Sequence, residues 1–204
     1  MSQQDASGEG KRQQAAAKRR AMILDAAVLC FIEQGYHQSG VRDIAKRAGV
    51  SLGNLYNHFP GKHDMLAEIA AVERSELEPF LALLEKPQPA QQILDRFVSR
   101  YVRYIGQAES VILSIEITSE AIRKPDIGEL FLQNRNQLVT ALDTFIQRGV
   151  AEGAFRTLKS TKETAHLIVE LIEGTAYRSV LSETAIRKLL PTLKDFISTS
   201  LQAI

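Results

Sequence analysis

An all-α fold is predicted, with a helix-turn-helix unit of three helices at the N-terminus and a longer helical body behind it. Three observations predict it. Apolar residues recur at i, i+3, i+4 and i+7 from Ile23 onward. Glycine and proline punctuate these runs at helix-length intervals, at Gly35, Gly49, Pro60, Pro87, Pro89 and Pro125. Beyond KPQPAQ the chain shows no strand-like alternation of any length. With 204 residues, 45% of them hydrophobic, it is long enough for one to two domains around a packed core.

The opening MSQQDASGEGKRQQAAAK lacks apolar periodicity, so residues 1–17 are expected to be a mobile basic arm, with helix setting in between Gln13 and Arg20. Its Lys11, Arg12, Lys18, Arg19 and Arg20 suit phosphates or a minor groove, and equally a solvated tail that aids solubility. Residues 18–64 form the next unit. Ile23, Leu24, Ala27 and Phe31 mark a first helix that Gly35 stops. After GYHQS, where Ser39 or Gly40 can cap, Val41, Ile44, Ala45 and Ala48 mark a second, two-turn helix ending at Gly49. Ser51 fits the N-cap of a third, from Leu52 to about Phe59, interrupted by Pro60 and Gly61. Two short helices joined by the AGVS turn and braced by the first make a helix-turn-helix.

Residues 65–204 are expected to be a second domain. Lys62 opens a long helix through MLAEIAAVERSELEPFLALLE, with Pro79 a kink or break. Gln91 to Ile105, Ser110 to Ile122 and Ile127 to Val150 follow, and EGAFRTLKS reads as a loop. Thr161 to Leu181 is apolar nearly all round, which calls for cover on two sides: the domain's own core on one, most simply a second subunit on the other. A final helix reaches Leu201, with Pro191 in its first turn or at a bend.

Composition excludes several classes. The single Cys30 cannot form an intramolecular disulfide and sits in ILDAAVLCFI as a small apolar residue. No signal-type or membrane-spanning stretch is evident, so a soluble cytoplasmic protein is expected. Metal-ligand spacing, phosphate-cradling glycine loops and nucleophile elbows are missing, so neither metal, cofactor nor catalysis is expected. Residues 1–62 hold nine Lys or Arg against five Asp or Glu, and the remainder sixteen against nineteen, which suits a polyanion at one end.

The third helix carries the chemistry. Gly53 lies in its first turn, where glycine costs roughly 1 kcal/mol against alanine, so a bare backbone is wanted there for close approach to a duplex. Ser51 and the free N–H groups beside it suit a phosphate, and Asn54, Asn57 and His58 form one polar face suited to phosphates or base edges. For base reading the candidates are Arg42, Leu52, Gly53 and Asn57. Tyr56 shares a stripe with Leu52, Leu55 and Phe59, which fits a core position as well as a contact.

The run RAMILDAAVLCFIEQGYHQSGVRDIAKRAGVSLGNLYNHFPGKHDML, Arg20 to Leu66, resembles the N-terminal domain of TetR-family transcriptional regulators. The shared elements are the GY turn, the IAxxAGVS turn, the xGxLYxHF recognition helix and the lysine opening the next helix; Gly40 and His63 depart from the pattern. The resemblance implies a homodimer of nine-helix subunits. In each, the first three helices bind a double-stranded DNA operator, Ser39 and the residues above included, and the rest bind a small-molecule effector and pair the subunits. It gives Tyr56 a hydroxyl contact to phosphate and makes Lys62 a phosphate ligand, so that Lys62→Ala is expected to flatten the salt dependence of binding by about one unit.

The resemblance, with polar or aromatic residues inside apolar helices, makes Tyr101, Tyr104, Glu116, Thr118, Phe131, His166, Glu170, Glu173 and Tyr177 effector-site candidates; core packing is the rival reading for the aromatics, and His166 with Glu170 fits a mutual pair. EITSEAIRKPD is faintly similar to the effector domain of choline-responsive members, too diffusely to name an effector. Gly174, with Ile172 and Val180 on the same helix, is a dimer-contact candidate. The rival functions are a constitutive repressor or activator without an effector, and a helical protein–protein adaptor.

Overall fold

The computed structural model describes the backbone of residues 3–182 and 185–202, and the side chains of these from Gly10 onward. Among the described residues there are nine helices: α1 (Gln3–Gln34), α2 (Val41–Arg47), α3 (Leu52–Tyr56), α4 (Lys62–Leu84), α5 (Ala90–Ile105), α6 (Ala108–Arg123), α7 (Pro125–Ala151), α8 (Thr161–Leu181) and α9 (Ile186–Leu201). The helix ends follow local chemistry. Gly35 and Gly49 stop α1 and α2 in the left-handed region, at φ 84° and 67°. The Ser160 hydroxyl caps α8 by accepting from the Glu163 N–H at 3.1 Å, and Pro125 opens α7 where its missing N–H costs nothing.

Four expectations change. Helix begins at Gln3 instead of between Gln13 and Arg20: QQAAAK carries high helix propensity without any apolar stripe, and the helix continues upstream of it through Gly10 and Gly8, for which local propensity gives no reason. The α4 helix runs unbroken through the exposed Pro79, and Pro191 sits in the second turn of α9. The third helix is shorter than expected: Asn57 is its C-cap, and the His58 and Phe59 N–H groups both turn back onto the Leu55 carbonyl before Pro60.

Two apolar cores share α4 as a beam. One collects Ile23, Phe31, Ile44, Leu55, Phe59, Met65, Leu66 and Ile69, and draws in Ile117 from α6 and Ile127 from α7. The other runs from Leu77 through Phe97, Leu142, Phe145, Val169 and Ile172 to Leu201. The head expected at 18–64 thus has a core completed by side chains from the body. On α8, Ile168, Val169, Ile172 and Ala176 face inward, while Leu167, Val180 and Leu181 remain exposed.

Candidate nucleic-acid interface

The short α3 is held from both ends. Its N-cap Ser51 accepts the Asn54 N–H at 3.2 Å, leaving the hydroxyl proton free to donate outward. Leu55 and Phe59 are fully buried and fix the inner stripe. Tyr56 is not part of it: the ring is 49% exposed, because Tyr56 follows Leu55 by one position and a helix turns it about 100° away. Asn57 is exposed, Leu52, Asn54 and His58 are half-buried, and Arg42 projects from α2 into solvent.

Among the described residues, Gly53 is one of three helical glycines, with Gly10 and Gly174, that the fold itself does not require, and the one of them that lies between α2 and α4. Its φ is not positive, and a Cβ built on it meets nothing within 4 Å. The contrast with Gly49, whose left-handed backbone forms the turn between α2 and α3, is plain. The fold needs one glycine and leaves the other unexplained.

Arg20, which the sequence marks only as part of a basic arm, clamps the far end of α3. Its guanidinium donates to the His58 carbonyl and to Glu68 at 2.9 Å, and lies 4.1 Å from the centre of the Phe59 ring. Arg47 is likewise committed, donating to both oxygens of Glu33 at 2.6 and 2.7 Å and holding that carboxyl below the usual range.

Two candidates are turned inward. Ser39 is buried and its hydroxyl donates to the Gly35 carbonyl at 2.8 Å, so it is a turn brace out of reach of a phosphate. Of the two expected caps it is Gly40 that stands at the N-cap of α2, without a side-chain hydrogen bond to the helix. Lys62 donates to the Tyr36 carbonyl at 2.6 Å and the His37 carbonyl at 3.4 Å, with its ammonium 4.4 Å from the Tyr36 ring centre. Partial burial lowers its pKa, and a brace, not a free phosphate ligand, is what the geometry makes of it.

That same 35–38 turn is gripped from the body. Glu116 accepts the Tyr36 N–H at 2.8 Å, and the buried Glu120 lies 2.9 Å from His37 and 3.3 Å from Lys124. His63 faces Asp126 at 2.8 Å. Glu116 therefore belongs to the joint between head and body, Thr118 is exposed on the same helix, and Phe131 packs against the head's core. These three leave the effector candidates.

The remaining candidates do converge. Tyr101 donates to Glu173 at 2.7 Å, Arg135 reaches Glu173 at 3.3 Å and Glu170 at 2.8 Å, and Tyr104 donates to Glu76 at 2.9 Å. His166 and Glu170 approach to 3.8 Å. Tyr177, half-buried on the same helix as Glu173, packs against the body's core. Phe80 and Phe97 pack on the tyrosines, with Phe97 stacked on Tyr101 at 5.6 Å. Beneath lies Glu73, whose carboxyl is pushed up chiefly by burial, although Asn134 donates to it at 2.8 Å. Arg135, Asn134 and Glu73 are invisible in the sequence because nothing in local periodicity marks a polar group as facing inward.

Of the dimer candidates, Ile172 is fully buried in the body's core, since it shares the inward face of α8 with Ile168 and Ala176. Gly174 and Val180 are exposed, and Gly174 lines a shallow groove with Leu171, Thr175, Arg178 and Leu189. Among the described residues no group of three or more His, Cys, Asp or Glu is placed to hold a metal, and no helix is long and apolar enough to cross a membrane.

Comparison with known proteins covers both parts of the chain. Residues 23–69 match the model of bacterial regulatory proteins of the tetR family, and residues 92–189 that of the C-terminal domain of AefR-like transcriptional repressors. The chain is 33% identical over 150 residues to the HTH-type transcriptional repressor KstR2 of Mycolicibacterium smegmatis, covering 69% of each protein. Its fold is similar to that of a protein from Saccharomonospora viridis solved with choline, at a TM-score of 0.80 and 22% identity over 91% of this chain and 98% of that one. It is also similar to Bacillus subtilis FadR in complex with stearoyl-CoA, at 0.75 and 21% over 89% and 99%.

Proposed function

From the premise that this chain belongs to the TetR family of bacterial regulatory proteins, we propose that it is a homodimeric transcriptional repressor, released from a palindromic operator by a small-molecule effector. The operator is read by α2 and α3, with Arg42, Leu52, Gly53, Tyr56 and Asn57 toward the major groove and Ser51, Asn54 and His58 beside it. Two heads of a dimer enter successive major grooves about 34 to 36 Å apart. The KstR2 relative is a repressor by name, which favours repression over activation here.

The observation that carries this reading is Gly53. Gly10 and Gly174 are open helical glycines too, but Gly53 stands in the first turn of α3, between the Ser51 cap and the exposed Tyr56 and Asn57, where a bare backbone suits close approach by a neighbour outside the molecule. Duplex DNA is such a neighbour, and Tyr56 and Asn57 stand exposed around it.

The effector site is the Tyr101, Glu173, Arg135 and Tyr177 network among α5, α7 and α8. Proteins of this fold hold ligands as unlike as choline and stearoyl-CoA, so the fold leaves the effector's identity to these side chains. Coupling runs through α6 and α7, which give Ile117 and Ile127 to the head's core and Glu116 to its first turn. An effector that prefers one arrangement of the dimer by about 1 to 3 kcal/mol changes operator affinity about 5- to 150-fold.

The test is Gly53→Ala, assayed on labelled DNA from around the protein's own gene with unrelated DNA as competitor. The added methyl meets nothing in the free protein and favours the helix by up to about 1 kcal/mol, so melting temperature holds or rises. Operator affinity is expected to fall by about tenfold or more, equivalent to about 1.4 kcal/mol. Undiminished binding by the variant, or no preference of the wild type for its own DNA, sinks the reading.

A further inference from the structure

The N-terminal half of α1 lies upstream of the head's core, whose first member is Ile23. Every described side chain from Gly10 to Arg19 is exposed, and none of Lys11, Arg12, Lys18 and Arg19 is paired with a described carboxylate. These four cations are not scattered. Lys11 and Lys18, like Arg12 and Arg19, are seven residues apart and so nearly in line, and the two rows together cover about 120° of the helix surface. Successive pairs stand about 10 Å apart along the axis. Ala15 lies between them, so no bulky side chain keeps the helix away from a partner.

The root of this segment fixes where it points. Arg20 ties it to the His58 carbonyl and the Phe59 ring at the C-terminal end of α3. Downstream of this root, in the turn that follows α1, Tyr36 bonds to Glu116 of α6, roughly 20 Å further along the axis. The basic segment therefore departs from the recognition helix and away from the effector region.

We infer that the face formed by Lys11, Arg12, Lys18 and Arg19 is a second, sequence-independent DNA contact, gripping the phosphate backbone that flanks the bases read by α3. The inference rests on the operator-binding reading of α2 and α3. Duplex DNA offers one negative charge per about 1.7 Å of axis, so two rows of cations meet phosphates wherever the helix lies along the backbone. An anionic bilayer would call for large apolar residues within the basic face, and between Lys11 and Arg19 the chain supplies only alanine and glutamine.

The test uses the full chain with Lys11→Ala, Arg12→Ala, Lys18→Ala and Arg19→Ala together. Alanine sustains the helix, which circular dichroism checks. Binding is measured across a salt series on two duplexes: one ending at the last base pair whose substitution weakens binding, and one extended by a helical turn on each side. Wild type is expected to prefer the longer duplex by about tenfold. The variant loses that preference, and its slope of log K against log salt flattens by about 0.9 for each phosphate it no longer neutralises, or about two units or more in all. A variant with wild-type slope and wild-type preference overturns the inference while leaving the α3 reading in place. So does a variant whose DNA slope is unchanged but which no longer binds vesicles of anionic lipid. Wild type binding neither duplex above competitor brings down the operator reading, and this one with it.

Discussion

Glu73 is a carboxylate caught between two demands. Asn134 donates to it at 2.8 Å and favours its charged form, but burial outweighs that bond, with Glu173 and Glu76 adding repulsion, and its pKa stands raised. The folded protein therefore holds this proton more tightly than the unfolded chain does. The cost of keeping Glu73 ionised is present above its folded pKa and is relieved as pH falls through that value toward the unfolded one, about 4.3. Glu73→Gln preserves an oxygen for Asn134 and removes the charge. It is expected to melt at a higher temperature than wild type at neutral pH, with the gap closing as pH falls toward the unfolded value of about 4.3, in thermal scans across that range. A gap independent of pH would assign the effect to packing instead.

At the level of elements, α3 depends on a helix far from it in sequence. Five residues cannot sustain a helix alone, and the Ser51 cap, the buried Leu55 and Phe59, and the Arg20 clamp do it together. Arg20→Met keeps the length of the side chain and loses the bonds to the His58 carbonyl and Glu68. It is expected to lower stability by about 1 to 2 kcal/mol, and adding Glu68→Ala to it should cost much less than Glu68→Ala alone. Additive losses in denaturant titrations would mean that the two side chains act separately. Arg20 also shows what sequence hides. The first two helix stops were readable because glycine at positive φ is a local necessity, and the span of α8 was readable from a long apolar run that follows the EGAFRTLKS loop. The early start of α1 was not, because propensity without an apolar stripe leaves no period to count. The inward turns of Ser39 and Lys62 were hidden for another reason: both bond to backbone carbonyls, and a carbonyl is present at every position. The family pattern marked where the proposed reading surface begins, and tertiary contact decided which of its polar groups face out.

For the whole molecule, the outer faces of α8 and α9 carry Leu167, Val180, Leu181, Leu189 and Phe196 exposed to solvent beside the groove at Gly174. Proposed as the subunit contact, this surface predicts the behaviour of a double variant, Leu181→Asp with Phe196→Asp. Sedimentation should show a monomer with an intact melting transition. Operator affinity should then fall by at least about a hundredfold, since two linked heads gain that much from acting together. A double variant that stays dimeric moves the contact elsewhere. The head, meanwhile, is not a detachable part. Ile117 and Ile127 fill its interior from helices of the body, and Glu116 closes its first turn. Grafting this reader onto a foreign sensor by cutting within α4 would leave two holes in its heart and an orphaned amide at Tyr36. Any chimaera that folds must carry the α6–α7 corner along, so the sensing proposed for the body can be redesigned only around that fixed keystone.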